Sequence, residues 1–232
     1  MKTRHSLFIF LFLLTLSSSA QAGSVTGTIR FKGTPPAPQK IDMNSDPSCG
    51  AQAGSKNETE EAVVGADGSL KNVFVYVKQG LEGKTFEAPK QNVLLDQKGC
   101  RYQPHVLGLQ VGQTLEILNS DSTLHNVHGM PAAGKPFNLG MPIQGMKIKR
   151  KFDKPEIMVK FKCDVHPWMS AFIGVLPHPF FAVSAENGSF EIKDLPPGTY
   201  TLEAWHEKFG TQTQQVVVDA SGAKTADFSF SG

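Results

Sequence analysis

The sequence predicts an all-β protein. Its 232 residues include 15 prolines and 22 glycines, and short apolar runs lie between these turn-forming residues, a pattern typical of β-sandwiches and β-barrels. Helical periodicity is nearly absent beyond the N-terminal residues. The length allows one large domain or two small ones.

The chain begins with the pattern of a secretory signal. Lys2 and Arg4 precede an apolar run at residues 7–16, and the small-residue motif Ala20-Gln21-Ala22 follows it. The run is about ten residues long, whereas a membrane span needs roughly twenty. We therefore assign residues 1–22 to a signal peptide and expect cleavage near Ala22, export to the periplasm or the medium, and a mature chain without a transmembrane segment.

The charge balance of the mature chain argues against nucleic acid as a partner. Of the 23 basic residues, Lys2 and Arg4 lie in the signal, which leaves 21 against 21 acidic residues. Nucleic-acid-binding domains usually carry a strong basic excess. We expect no nucleic-acid binding.

Residues 24–90 read as an N-terminal β segment. Residues 23–31 alternate like a half-buried strand, and residues 73–77 are apolar enough for a strand that is buried on both faces. Between them, residues 42–61 are polar and have little to bury, which predicts a long loop.

Three side chains that bind soft metals follow one another at three-residue intervals, namely Cys163, His166 and Met169. Upstream, His125 closes a predicted strand. Two histidines, one cysteine and a weak axial methionine are the ligand set of blue copper sites. Cysteine and methionine are also ordinary core residues, but four such side chains at these spacings favour a metal. Zinc is the competing metal, although its structural sites rarely include a thioether. A binuclear copper centre would need a second cysteine in the loop, and residues 163–169 contain only Cys163.

Both motifs resemble those of the cupredoxins, and of the amicyanins and plastocyanin-like proteins most closely. In that family the ligand loop reads Cys-x-x-His-Pro-aromatic-Met, as residues 163–169 do here, and the upstream ligand lies in a His-Asn-Val-His run, as at residues 125–128. The resemblance extends over residues 93–177. It implies that residues 91–177 form a Greek-key β-sandwich.

The resemblance also implies a function and a set of roles. It implies an exported carrier of single electrons that exchanges them with a redox protein partner and has no enzymatic activity. It implies that Asn126 ties the two ligand loops together by hydrogen bonds, and that one type 1 copper is held by His125, Cys163, His166 and Met169. The alternatives are a copper delivery or storage protein, and a carbohydrate- or surface-binding module in which the metal is incidental.

The remaining cysteines predict a disulfide. The chain has three cysteines, and if Cys163 binds copper, Cys49 and Cys100 remain. An exported chain rarely keeps two idle thiols. We therefore expect these two residues to be joined.

Residues 178–232 resemble another β-sandwich family. The phrase at residues 187–202 is similar to the repeated phrase of carboxypeptidase-regulatory-like domains and of the small β domain of rhamnogalacturonan lyases; it implies a fold and is silent on activity. A segment of about 55 residues is short for an independent sandwich, which needs roughly 70 or more. Our hypothesis is that residues 24–90 complete it around an inserted cupredoxin-like domain. We interpret His178 and His206 as interface histidines rather than a second metal site.

The final expectation concerns the route of the electron. In the ligand loop, His166 follows the buried cysteine and is expected to keep a solvent-facing ring edge. An apolar rim around it would suit a brief docking contact with a redox partner. The rim residues are Met130, Pro131, Pro167 and Trp168.

Overall fold

A computed structural model of the chain describes residues 22–52, 57–220 and 222–232, so the predicted signal peptide lies outside the described residues except for Ala22. The described residues are almost entirely strands and loops with two short helices, which confirms the all-β prediction. Among these residues, no helix is both long and apolar enough to cross a membrane. The strands form four sheets, which pair into two sandwiches.

The first sandwich, called the terminal sandwich, combines strands from both ends of the chain. One of its sheets contains, in spatial order, β13 (Ser189–Leu195), β1 (Gly23–Lys32) and the strands β16 (Ala223–Thr225) and β17 (Phe228–Ser231). The other contains, in spatial order, β12 (Phe181–Val183), β2 (Phe74–Gln79), β14 (Gly198–His206) and β15 (Gly210–Val218).

N-terminal strands are central to both sheets of the terminal sandwich. β1 pairs with β13 on one side and with β16 and β17 on the other, and its alternating side chains Val25 and Ile29 are fully buried. β2 lies between β12 and β14. The N-terminal segment therefore completes the C-terminal sandwich.

The second sandwich, called the middle sandwich, is inserted between β2 and β12. One sheet contains, in spatial order, β5 (Val106–Gln110), β11 (Ser170–Leu176), β10 (Glu156–Lys162), β7 (His125–Met130) and β8 (Phe137–Met141). The other contains β4 (Tyr102–Gln103), β3 (Val93–Gln97), β6 (Leu115–Asn119) and β9 (Lys147–Arg150). Apolar side chains from both sheets form one buried core.

The two sandwiches share an apolar interface. Phe74 and Tyr76 of β2 turn away from the terminal core and pack with Val106 and Leu176 of the middle sandwich. This explains why β2 is buried on both faces, as its sequence predicted. Gly174 permits the close approach, because a Cβ atom there would lie 2.4 Å from the Phe74 ring.

The prediction of a long loop at residues 42–61 is wrong at its beginning. A 3₁₀ helix (Met43–Ser45) and the α-helix α1 (Pro47–Gln52) occupy this segment. Met43 and Cys49 are buried in the core of the middle sandwich, so these two side chains anchor a mostly polar stretch to that core. Residues 53–56 lie outside the described part of the chain.

Candidate metal centre

The four predicted ligands lie at one end of the middle sandwich. His125 is the first residue of β7, while Cys163, His166 and Met169 occupy the loop between β10 and β11. β10 pairs with both β7 and β11, so the two ligand segments emerge beside each other. All four side chains are buried.

Three donor atoms converge. His125 Nδ1 lies 2.9 Å from His166 Nδ1, and Cys163 Sγ lies 3.8 Å from the latter nitrogen. Donor atoms of these three residues all lie within 4.8 Å of one another. Two imidazoles and one thiol at this spacing fit a single soft metal ion such as copper.

The ligand loop is closed by its own backbone at Met169. The Met169 N–H donates to the His166 carbonyl (2.9 Å), and the Cys163 N–H donates to the Met169 carbonyl (3.2 Å). The Met169 side chain is packed in the core of the middle sandwich. Its role as an axial ligand stays a prediction.

The site favours a thiolate beside a cation. Burial raises the pKa of Cys163, but the His125 ring and the backbone N–H groups of Asn126, His166 and Val165 outweigh it, so the pKa lies below its ordinary value. Burial lowers the pKa of His125, but Asp121 and the Cys163 sulfur outweigh it and raise the pKa to about 9. A metal cation would supply the positive charge that these groups stabilise.

Asn126 links the two ligand segments. Its Oδ1 accepts from the N–H of Asp164 (2.6 Å) and of Val165 (3.3 Å), and its own N–H points at Cys163 Sγ from 3.5 Å. The side-chain amide also donates to Asn138 Oδ1 at 2.5 Å. These bonds fix the position of the sulfur relative to β7.

Each candidate histidine is also bonded to a carboxylate. His125 Nε2 lies 2.9 Å from Asp121 Oδ2, and His166 Nε2 lies 3.0 Å from Asp46 Oδ2. The His166 hydrogen bond is the main cause that lowers the pKa of Asp46 to about 2. A carboxylate on the far nitrogen is a common support of metal-binding histidines, since it fixes the tautomer and the ring orientation.

Neither carboxylate was found from the sequence. Asp121 lies four residues before His125, in the loop that leads into β7, and this short spacing is a local signal in the sequence. Asp46 is 120 residues away from His166, in a segment that was interpreted as a loop, so no local signal exists.

The structure joins Cys49 to Cys100, which confirms the predicted disulfide. The bond reaches the metal centre, because Cys49 Sγ lies 3.5 Å from His166 Nε2. The Trp168 indole N–H donates to the Cys100 carbonyl at 3.0 Å.

The prediction that His166 keeps a solvent-facing edge is wrong. Its side chain is only 2% exposed, because Asp46 and Cys49 contact its Nε2 and the Trp168 ring lies 5.2 Å from its ring centre. The cover comes from the segment around α1 and from Trp168 in the ligand loop. The polar appearance of that segment concealed its packing.

The predicted rim residues lie in different surroundings. Pro131 is buried and lines a cavity with Phe137 and Arg150, whereas Pro167 and Trp168 line a second cavity. Met130 is half-buried at the end of β7. Pro131 therefore lines a different cavity from Pro167 and Trp168.

The rings of His178 and His206 are both hydrogen-bonded to backbone groups. His178 Nε2 donates to the Val77 carbonyl at 2.9 Å, and His206 Nδ1 accepts from the N–H groups of Lys208 and Phe209. Among the described residues, neither histidine belongs to a group of converging metal donors.

Comparisons with known proteins find a matching family model and several similar solved structures. A family model described as the carboxypeptidase regulatory-like domain matches residues 176–231, and no curated protein sequence matches the chain. Similar solved structures include a copper-containing nitrite reductase from Thermus scotoductus SA-01, with 24% identity over 42% of this chain and a TM-score of 0.34; the match spans 25% of the reductase chain.

Two smaller proteins are also similar to part of the chain. A purple cupredoxin from Nitrosopumilus maritimus is 24% identical over 37% of this chain and 99% of its own, with a TM-score of 0.31. An oxidized amicyanin variant is 17% identical over 44% of this chain and 97% of its own, with a TM-score of 0.34.

Proposed function

We propose that this chain is an exported, mononuclear type 1 copper protein that carries single electrons between redox partners. The observation that carries the proposal is that His125, His166 and Cys163 each offer a donor atom within 4.8 Å of the other two, with His166 Nδ1 lying 2.9 Å from His125 Nδ1 and 3.8 Å from Cys163 Sγ. A thiolate and two imidazoles accept both oxidation states of copper with little movement, and this donor set is that of electron-transfer copper sites.

The copper would supply the one-electron couple, and the protein would hold its ligands still. Asn126 bonds the cysteine loop to the histidine strand. Asp46 and Asp121 each accept a hydrogen bond from the Nε2 atom of a ligand histidine, which leaves both Nδ1 atoms directed towards Cys163. Rigid ligands lower the reorganisation needed for each transfer. We propose no catalytic turnover beyond this exchange.

Copper loading tests the proposal. The mature chain is incubated with Cu(II), and we expect one equivalent bound, an intense visible absorption from the thiolate, and reversible reduction. Cys163→Ser should abolish the absorption. His128→Ala is the matched control. His128 lies in the same His-Asn-Val-His run as His125, but its ring contacts Asp164, which is not a proposed copper ligand.

The outcomes separate the alternatives. Tight Cu(I) binding without intense colour would favour copper delivery or storage. Failure to take up copper would exclude both copper functions and leave the carbohydrate- or surface-binding module, for which the match at residues 176–231 gives a fold without an activity.

A further inference from the structure

Asp46 is held at both of its carboxylate oxygens. Oδ2 accepts from His166 Nε2 and from the Thr123 hydroxyl, each at 3.0 Å. Oδ1 accepts from the backbone N–H groups of Ser48 (2.8 Å) and Cys49 (3.3 Å) at the start of α1. A carboxylate with four donors has a fixed position, so it can fix the orientation of the ring that it contacts.

The segment that carries Asp46 is anchored to the middle sandwich beside the candidate ligands. Cys49 is bonded to Cys100, and Met43 is buried in the same core. The backbone N–H of Cys100 in turn donates to Asp121 Oδ2 at 2.8 Å, the oxygen that contacts His125 Nε2. One disulfide thus connects the supports of both histidines.

We propose that Asp46 is a positioning residue for His166. It accepts the Nε2–H hydrogen bond, directs Nδ1 towards Cys163, and is kept in place by the Cys49–Cys100 disulfide. As far as copper is concerned, this inference rests on the proposed function. It adds a residue from the N-terminal segment to a site whose ligands all lie between residues 125 and 169.

We expect the hydrogen bond from His166 to Asp46 to favour the binding of Cu(II) over Cu(I). A carboxylate behind the imidazole makes the ring a better donor, and its negative charge stabilises Cu(II) more than Cu(I). Loss of such a support typically lowers metal affinity by about 10- to 100-fold. Each tenfold loss for Cu(II) that Cu(I) does not share raises the reduction potential by about 59 mV.

The test compares Asp46→Asn with Asp42→Asn. Asp42 lies in the same segment, and its side chain accepts from the N–H of Asn44, two residues further on, so its substitution is the matched control. We expect Asp46→Asn to lower Cu(II) affinity about 10- to 100-fold and to raise the potential, while Asp42→Asn changes neither. Equal values in the two variants would overturn the proposal.

A second readout needs no copper. Nitrogen-15 NMR of the metal-free protein reports which ring nitrogen of His166 carries the proton. We expect the Nε2–H tautomer in the wild type and in Asp42→Asn, and a mixture in Asp46→Asn. An unchanged His166 tautomer in Asp46→Asn would refute the positioning role. If the chain takes up no copper, the proposed function fails while this measurement still decides the inference.

The role of the Cys49–Cys100 disulfide in holding Asp46 is tested by replacing both cysteines. A chemical reductant would also reduce Cu(II), so the double variant Cys49→Ser/Cys100→Ser is used, with near-ultraviolet circular dichroism as the check on folding. We expect a shift of the potential and of the His166 tautomer in the same direction as in Asp46→Asn. A folded double variant with the wild-type potential and the wild-type His166 tautomer would show that the disulfide does not hold Asp46 in place.

Discussion

The Tyr102 hydroxyl donates a hydrogen bond of 2.7 Å to the carbonyl oxygen of Asn126. The same hydroxyl lies 3.1 Å from the carbonyl oxygen of Lys162. Asn126 follows His125, and Lys162 precedes Cys163, so a single phenol joins the backbones of the two ligand segments. Burial, with the nearby charges of Cys163 and Asp164, raises the pKa of Tyr102 far above its usual value, which keeps the hydroxyl a donor.

Tyr102→Phe should weaken both the fold and the site. The variant leaves two carbonyl groups without their shared donor, and a buried group that loses its partner costs about 1–3 kcal/mol of unfolding free energy. We expect a loss in this range in urea unfolding of the metal-free protein, together with lower copper affinity.

Tyr200→Phe is the control for that variant. The Tyr200 hydroxyl donates to the Pro196 carbonyl at 2.7 Å, in the terminal sandwich, so this variant should lose stability and keep wild-type copper affinity. Equal copper affinities in the Tyr102 and Tyr200 variants would contradict the role that we assign to Tyr102.

The C-terminal segment should not fold alone. β1 is an inner strand of one terminal sheet and β2 of the other, so a fragment of residues 178–232 lacks the middle of both sheets and exposes Phe190 and Phe228, which are buried here. We expect circular dichroism of the fragment to show an unfolded chain, whereas the mature chain is folded. A stable, folded fragment released by limited proteolysis would disprove this.

Met169→Leu should change the potential while preserving the fold. The two side chains have similar volume, so the substitution costs less than about 1.5 kcal/mol. If Met169 is the weak axial ligand, its loss removes an electron-pair donor, and we expect the thiolate absorption to persist while the potential rises by on the order of 59 mV, a tenfold change in relative affinity.

Met141→Leu provides the comparison for Met169. Met141 is equally buried, but its sulfur accepts from Gln97 Nε2 at 2.9 Å and it was not predicted as a ligand. Its variant should keep the wild-type potential. A shift as large as that of Met169→Leu would remove the evidence for an axial methionine.

The parts of this protein that the sequence predicted are those with local signals. Val25 and Ile29 alternate with polar neighbours, and this period fixed β1 as a half-buried strand. The three-residue spacing of Cys163, His166 and Met169 placed them in one loop. The disulfide followed from the number of cysteines.

The unpredicted part depends on contacts between distant segments. Asp46 is an ordinary polar residue in a polar stretch, and only the tertiary fold brings it to His166. The same contact buries the ring that was expected to face solvent. A pattern of residue types cannot report such a contact, because it contains no information on which segments meet.

The stability of the metal-free protein should fall in mild acid through His206. Burial, helped by the nearby charges of His105 and Lys208, lowers the pKa of His206 from 6.5 to about 4. The unfolded chain therefore binds a proton between these pH values that the folded chain does not. The neutral His206 ring makes its full contribution to the free energy of unfolding above pH 6.5. This contribution is lost as the pH falls towards 4, and the loss is about 3 kcal/mol at most.

Urea unfolding at pH 7.5 and at pH 5 measures this loss. His206→Asn retains an acceptor for the backbone N–H groups of Lys208 and Phe209 and removes the titrating ring. The variant should be less stable at pH 7.5, because the ring that stacks on Phe209 is gone, but it should lose less stability on acidification. An identical pH dependence in both proteins would rule out His206 as the cause.

Because His166 is enclosed, we expect the electron to reach the surface through Trp168. The indole lies 5.2 Å from the His166 ring, centre to centre, is half-buried, and lines a cavity of about 330 Å³ with Pro167, Lys160 and Lys162. Trp168→Ala removes the aromatic bridge and should slow electron exchange with an external oxidant severalfold in stopped-flow measurements, whereas Trp168→Phe should retain most of the rate. Val217→Glu adds a charge at an exposed position of the terminal sandwich and should leave the rate unchanged. If Trp168→Ala exchanges electrons as fast as the wild type, the route runs elsewhere.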